Sequence, residues 1–264
     1  ATQIRRAVER LDAAAPDVEE LALGGTAVGT GLNTPAEFGP RVIRKIAEET
    51  GIPFRPAGNR FEALAARDAL IQLMGTLNTL AVALMKIGTD LRILSSGPRA
   101  GLGEIRLPAL QPGSSIMPGK VNPVIPEVVI QVAAQTMGLY TAVSTGGQHG
   151  PLELNMMMPL IGYDTHQALQ LLTGAVTLLN ERCIAGLVAD RERCAGYVEW
   201  SSAMVTPLAL KLGYEEAARI AKAAFQAGRT IREYALSEKI LPEKEIEALL
   251  DPGRMASGEP PEAD

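Results

Sequence analysis

The clearest periodic pattern in the sequence is a row of apolar residues between Asn59 and Leu94. Leucine or isoleucine recurs at alternating spacings of three and four residues, at Leu70, Leu73, Leu77, Leu80, Leu84, Ile87, Leu91 and Leu94. This spacing puts the side chains on one face of an α-helix and predicts a single long helix over the whole range. Other faces carry small or apolar residues such as Met74, Ala81 and Gly88. Such a helix is typical of the interior of a bundle.

Two further long helices are predicted after the first one. One begins at the Asn122-Pro123 step, and the next runs from about Leu152 to Glu181 with a kink at Pro159. Between the first two helices lies Leu107–Gly119, in which three Pro, two Gly and two Ser predict an irregular loop. The sequence therefore predicts an all-α fold built as a bundle of long helices.

Beyond about Asp190 the predicted helices become shorter. They cover Arg191–Val205, Tyr214–Ala227 and Glu243–Leu250, and the acidic, Pro- and Gly-rich end of the chain predicts a disordered tail. The N-terminal segment has the pattern of an amphipathic helix. We therefore expect a central helix-bundle domain over residues 1–190, with a loop over residues 113–123 inside it, and a small helical C-terminal domain with the disordered tail over residues 191–264.

Composition and charge narrow the class of protein. Apolar residues make up 47% of the 264 residues, which predicts a chain that forms a core. A net charge of −5 argues against nucleic acid or an anionic membrane as the main partner. Two cysteines, Cys183 and Cys194, are too few for a disulfide framework or a four-cysteine metal site. No apolar run in the sequence is judged long enough to span a bilayer. We therefore expect a cytoplasmic protein.

The segment Gly113–Pro123, GSSIMPGKVNP, has the residues best suited to chemistry. The hydroxyls of Ser114 and Ser115, the ammonium of Lys120 and the amide of Asn122 lie close together in sequence. They lead into the predicted N-terminus of a helix, where free N–H groups and the helix dipole favour an anion. The pattern indicates a site for a small carboxylate beside an oxygen base, and a surface loop that only caps a helix is the alternative.

The same segment resembles the signature loop of the fumarase/aspartase superfamily. Four other stretches resemble its fumarase and aspartase branch in the same order, namely LGGTAVGTGLNT (Leu23–Thr34), SSGPRAGLGEI (Ser95–Ile105), LELN (Leu152–Asn155) and GYEEAARIAKAA (Gly213–Ala224). The resemblance extends to about Met255. It implies a long-helix bundle and an enzyme that removes water, ammonia or an amine from a succinate-like substrate to give fumarate, with no cofactor and no required metal.

The resemblance also implies roles for individual residues. Ser114 would be the base that removes the C3 proton, which requires surroundings that stabilise its alkoxide. Lys120 and Asn122 would hold a substrate carboxylate and stabilise the aci-carboxylate that forms, while Ser115 and Met117 would line the loop. In the helix that follows, Glu127 would support the site through hydrogen bonds.

The sequence beside the loop bears on the branch of the superfamily. Two stretches, Val124–Val128 and Leu91–Gly101, resemble the sequence pattern of aspartases. A third, Phe61–Leu70, is closer to the pattern of fumarases. We therefore expect an aspartate ammonia-lyase that releases ammonia from L-aspartate, with fumarate hydratase as the alternative.

Members of this superfamily assemble each active site from three sequence regions on different subunits. Only the last region is recognisable here, and His149 and His166 match neither of the others. The resemblance therefore implies a homotetramer with shared active sites, and this chain would be a C-terminal portion that is inactive alone. A non-catalytic helical assembly fragment is the second alternative.

Overall fold

The computed structural model describes residues 1–257, and these residues have the all-α fold predicted from the sequence. The helices are α1 (Thr2–Val18), α2 (Phe38–Thr50), α3 (Arg60–Ala65), α4 (Asp68–Leu94), α5 (Val124–Gly147), α6 (Met158–Arg182), α7 (Arg191–Trp200), α8 (Thr206–Leu212), α9 (Tyr214–Gln226), α10 (Ile231–Ser237), α11 (Glu243–Leu249) and α12 (Pro252–Ser257). Short 3₁₀ turns cover Ile184–Gly186 and Ser202–Val205. Strands β1 (Glu20–Leu21) and β2 (Arg55–Pro56) pair in parallel, and β3 (Ile105–Arg106) and β4 (Val188–Ala189) pair antiparallel.

The chain divides into two compact units. The first consists of Ala1–Leu102 and Leu107–Leu187, and the second joins Gly103–Arg106 to the chain from Val188 onward. In the first unit, α4 packs most extensively against α5, α5 packs against α6, and α1 lies along α4. These long helices form the bundle from which the candidate loop extends.

The buried face of α4 is displaced from the predicted leucine row. Its buried stripe consists of Met74, Leu77, Ala81, Leu84, Gly88 and Leu91, with Ala83 beside it. Leu77, Leu84 and Leu91 belong to the predicted row, whereas the alternate members Leu73, Leu80 and Ile87 are only half-buried. The row therefore spans two faces of the helix, one covered within the chain and one still partly exposed.

The predicted helix from Asn59 to Leu94 is in fact two helices, so that prediction is wrong. The side-chain oxygen of Asn59 accepts hydrogen bonds from the N–H groups of Phe61 and Glu62, which starts the short helix α3. Arg67 then has a φ of +74°, a left-handed conformation that cannot continue a right-handed helix. No Gly or Pro marks this break, so the apolar pattern does not show it.

The helix α6 begins at Met158, later than the predicted start at Leu152. Leu152 has a φ of +56°, and the turn that follows is fixed by Asn155, which is buried. The Asn155 side chain donates to the Gly146 carbonyl over 3.2 Å and accepts from the Met157 N–H over 2.8 Å. Pro159 therefore lies in the first turn of α6, where proline is tolerated, and the predicted kink is wrong.

The second unit has a hydrophobic core of its own. Its largest fully buried side chains are Leu208, Ile220, Ile246 and Leu250. At the chain end, Pro252–Ser257 forms α12 where a disordered tail is predicted, and the rest of that tail, residues 258–264, lies outside the described residues.

Among the described residues, α4 alone is long and apolar enough to meet a length and composition criterion for crossing a membrane. The sequence prediction that no segment reaches this length therefore does not hold for α4. Core helices of other proteins meet the same criterion, and α4 packs against α1, α5 and α6. Its apolar character is accounted for by the bundle and is weak support for a membrane span.

Candidate functional site

The candidate site is a loop that runs into the N-terminus of α5 and is closed at its base. The Gly113 N–H donates to the Lys120 carbonyl over 2.7 Å. The Asn122 side-chain amide donates to the Gly113 carbonyl over 3.1 Å. These two bonds join the ends of the loop, so that Ser114 and Asn122, separated in sequence, are held on the same short neck.

The hydroxyl of Ser114 lies in a turn that supplies it with hydrogen-bond donors. Its Oγ accepts from the backbone N–H groups of Ile116 and Met117, each over 3.1 Å. Two N–H groups directed at one oxygen stabilise negative charge on that oxygen. The loop therefore provides part of the environment that a serine alkoxide requires.

The other predicted loop residues are open to solvent. Ser115, Met117 and Lys120 are all exposed, and Ile116 at the tip is 86% exposed. Gly119, with a φ of +80°, allows the chain to turn back towards the neck. Any exclusion of water from Ser114 must therefore come from groups outside this loop.

The N-terminus of α5 adds a second feature that favours an anion. Pro123 occupies the N-cap position and makes no capping hydrogen bond through its side chain. The first N–H groups of this 24-residue helix therefore have no side-chain cap from that position. Val124 already donates its N–H to the Asn122 carbonyl over 2.9 Å and Pro126 has no N–H, so the start of α5 favours a carboxylate near Asn122 and Lys120 mainly through the positive end of the helix dipole.

Glu127 lies in the first turn of α5 and faces a residue that sequence reasoning missed. Its Oε1 is 3.9 Å from Nε of Arg92, which lies in the last turn of α4. The two helices approach closely beside this pair, since a Cβ added to Gly88 would lie 3.1 Å from the Pro126 carbonyl oxygen. Arg92 lies one turn beyond Gly88 on α4, shortly before the stretch SSGPRAGLGEI. This position is the sequence signal that could have found it.

Other candidates from the sequence are not part of this loop. His149 follows α5 and His166 lies on α6, and both are exposed. Cys183 and Cys194 are free thiols, and burial raises the pKa of the Cys183 thiol, which makes it a poor nucleophile. Within residues 1–257, no three His, Cys, Asp or Glu side chains are grouped to hold a metal ion.

The glycine-rich segment Gly24–Gly31 follows a short strand, β1. A phosphate-binding loop would also need a helix to begin directly after it. Here α2 begins only at Phe38, so the segment lacks that arrangement.

Comparison with known protein families shows the family to which this chain belongs. Residues 1–138 match the family described as Lyase, and residues 204–257 match the family described as Fumarase C C-terminus. The chain belongs to the fumarase/aspartase superfamily of lyases. The resemblance in the signature loop is thereby confirmed.

Similar proteins cover nearly all of this chain. A fumarate hydratase class II of Xylella fastidiosa is 49% identical over 97% of this chain and 54% of its own length. One from Mycobacterium tuberculosis is 46% identical over 100% of this chain and 57% of its own length. The chain thus spans about half the length of the curated relatives it matches.

Solved structures agree with this placement. The structure of a fumarate lyase:delta crystallin of Brucella melitensis bound to cobalt is 45% identical with a TM-score of 0.90, and the match covers 97% of this chain and 55% of that one. A class II fumarase of Schistosoma mansoni is 37% identical with a TM-score of 0.88, over 98% of this chain and 57% of that one.

The prediction of an aspartate ammonia-lyase is wrong. The relatives at 45–49% identity over nearly the whole chain are named fumarate hydratase, in bacteria, plants and animals. Similarity along the full chain outweighs the few aspartase-like residues beside the loop. The alternative stated from the sequence is the better supported activity.

Proposed function

We propose that this chain carries the signature-loop part of a fumarate hydratase, which interconverts malate and fumarate by removal and addition of water. The observation that carries the proposal is the 45–49% identity to proteins named fumarate hydratase over nearly the whole chain. The geometry of the loop supports one part of that chemistry, the removal of the C3 proton by Ser114.

Ser114 would act as the base in the direction from malate to fumarate. Its alkoxide takes the C3 proton, and the electron pair left on C3 is delocalised into the adjacent carboxyl group as an aci-carboxylate. The electron pair then forms the double bond as the C2 hydroxyl leaves, protonated to water by an acid outside this loop. The N–H groups of Ile116 and Met117 support the proposal because they stabilise the Ser114 anion before the proton is transferred.

Lys120, Asn122 and the N-terminus of α5 would hold the carboxylate that becomes the aci-carboxylate. That group gains a second negative charge in the intermediate, so the Lys120 cation and the positive end of the helix dipole bind it more tightly than the substrate. Ser115 and Met117 would line the same side, and Glu127 would keep the start of α5 in place through Arg92. No cofactor or metal has a role in this scheme, and its absence remains a prediction.

We also propose that the working enzyme is a homotetramer that shares active sites between subunits. The exposed state of Ser115, Met117 and Lys120 supports this, because the proposed chemistry needs surroundings that exclude water. Two other apolar side chains of α4 support it too, since Val82 and Ile93 are each 53% exposed. A cytoplasmic location stays a prediction, since the relatives include bacterial proteins and proteins named mitochondrial.

The tetramer is tested by light scattering at micromolar concentration. We expect a mass close to four chains, and Val82→Glu should reduce it because a charge at this exposed apolar position of α4 opposes burial against another subunit. Ile52→Glu, an exposed apolar position outside the long helices, is the control and should leave the mass unchanged. A wild-type chain that is monomeric under these conditions would contradict the prediction.

The substrate is tested by following fumarate absorbance with the full-length enzyme that contains this segment. We expect fumarate to form rapidly from L-malate and the reverse hydration to be equally evident. L-aspartate, offered at the same concentration, should give little or no fumarate and is the matched control. Turnover of neither substrate by a folded full-length enzyme would count against the proposed function.

A further inference from the structure

The neck of the candidate loop depends on a glycine that no other residue can replace without displacing the backbone. A Cβ added to Gly113 would lie 2.9 Å from both the Asn122 nitrogen and the Lys120 carbonyl oxygen. Contacts this short are essentially never seen for real Cβ atoms, and both neighbouring atoms belong to the main chain. Even alanine at Gly113 would therefore push the backbone at Gly113 away from the backbone at Lys120 and Asn122.

Asn122 closes the neck from the other side. Its side-chain amide donates to the Gly113 carbonyl, next to the bond between the Gly113 N–H and the Lys120 carbonyl. A carboxamide has two N–H donors and one acceptor oxygen. One donor is committed to Gly113 here, which leaves one donor and the oxygen for another contact.

The neck directly determines where Ser114 lies. Ser114 follows Gly113 in the chain, and its Oγ is held by N–H groups of the same turn, from Ile116 and Met117. The turn is tied back to the neck by the Lys120 N–H, which donates to the Met117 carbonyl over 3.3 Å. A change in the distance across the neck must therefore be passed on to Ser114 and Lys120.

We propose that Gly113 and Asn122 act as positioning residues that clamp the loop and orient Ser114 before substrate binds. Asn122 would thus have a role in the free enzyme that is separate from any contact with the substrate carboxylate. For its effect on turnover this inference rests on the proposed function, whereas the clamp itself does not require a substrate. Small errors in the orientation of a base are costly, because the reacting atoms must meet within about 3–3.5 Å.

The clamp is tested by hydrogen exchange in the substrate-free full-length enzyme. Asn122→Asp keeps the size of the side chain, but its carboxylate has no N–H to donate and would repel the Gly113 carbonyl. We expect the Gly113 amide to exchange about fivefold faster or more, as for the loss of one ordinary hydrogen bond. Gly113→Ala should have the same effect or a larger one. Val121→Ala, which changes an exposed side chain inside the neck, is the matched control. In this variant the Gly113 amide should exchange at the wild-type rate.

Kinetics separate positioning from substrate binding. If the neck positions Ser114, Gly113→Ala should lower kcat by about tenfold or more. Because Gly113 has no side chain to bind substrate, KM should change by a smaller factor, and only through the shift of Lys120. Unchanged exchange at Gly113 in folded Asn122→Asp and Gly113→Ala variants would overturn the clamp. Faster exchange in an enzyme that turns over no malate would uphold the clamp and count against the proposed function instead.

Discussion

Replacing Ser114 by alanine is expected to lower kcat for malate by at least about 10²–10⁴-fold in the full-length enzyme. The physical reason is that the Oγ of Ser114 is the one loop hydroxyl with two backbone N–H groups directed at it. Alanine removes the oxygen and leaves those donors without their acceptor. Steady-state kinetics with malate, followed by fumarate absorbance, measure the effect.

Ser115 supplies the matched control for this experiment. It carries the same hydroxyl in the next position, but it is exposed, whereas Ser114 is half-buried. Ser115→Ala should therefore reduce kcat much less than Ser114→Ala. Equal and mild losses in the two variants would mean that the loop has a structural role only and that the base has been assigned to the wrong residue.

The long helices could be predicted because apolar residues recur along the chain at the spacing of a helix. The α4 pattern shows this and also its limit, since Leu77, Leu84 and Leu91 are buried while Leu80 and Ile87 are only partly covered. Periodicity shows that a face is apolar but does not show what covers it. The break at Arg67 could not be predicted either, because the left-handed conformation falls on an arginine and not on a glycine, so the sequence does not mark it.

The residue types of the candidate loop could be predicted, whereas the way the loop is held could not. Ser114, Lys120 and Asn122 are recognisable by type and order. The neck is closed by a main-chain bond between Gly113 and Lys120 and by the side chain of Asn122, and the sequence does not show that these positions meet across the loop. Arg92 was missed for a related reason, since its partner Glu127 lies on a different helix.

The wrong choice between aspartase and fumarase also has a structural reason. One of the two stretches that suggested aspartase, Val124–Val128, forms the first turns of α5. Pro126 among them is buried, and its carbonyl oxygen lies beside Gly88 of α4. Pro126 therefore contributes to the packing of α5 against α4. A few packing residues are a weaker guide than identity along the whole chain.

Residues 1–264 alone are expected to show no detectable conversion of malate or fumarate. The loop offers a base in Ser114 and, in Lys120 and the start of α5, groups for one carboxylate. Malate has two carboxylates and a hydroxyl that must leave as water, and the described residues of this loop provide for neither the second carboxylate nor the departing hydroxyl. Correct placement of reactants can contribute about 7–11 kcal/mol of the barrier, so its loss should bring turnover below detection.

Adding the remaining part of the enzyme as a separate chain is the informative control. If the site is shared, the mixture should regain measurable activity, whereas a mixture made with Ser114→Ala should stay inactive. Circular dichroism shows whether the chain alone is helical, so that absence of activity is not confused with absence of folding. Robust turnover by residues 1–264 alone would show that this chain holds every group the reaction needs, and the proposal of a shared site would then be wrong.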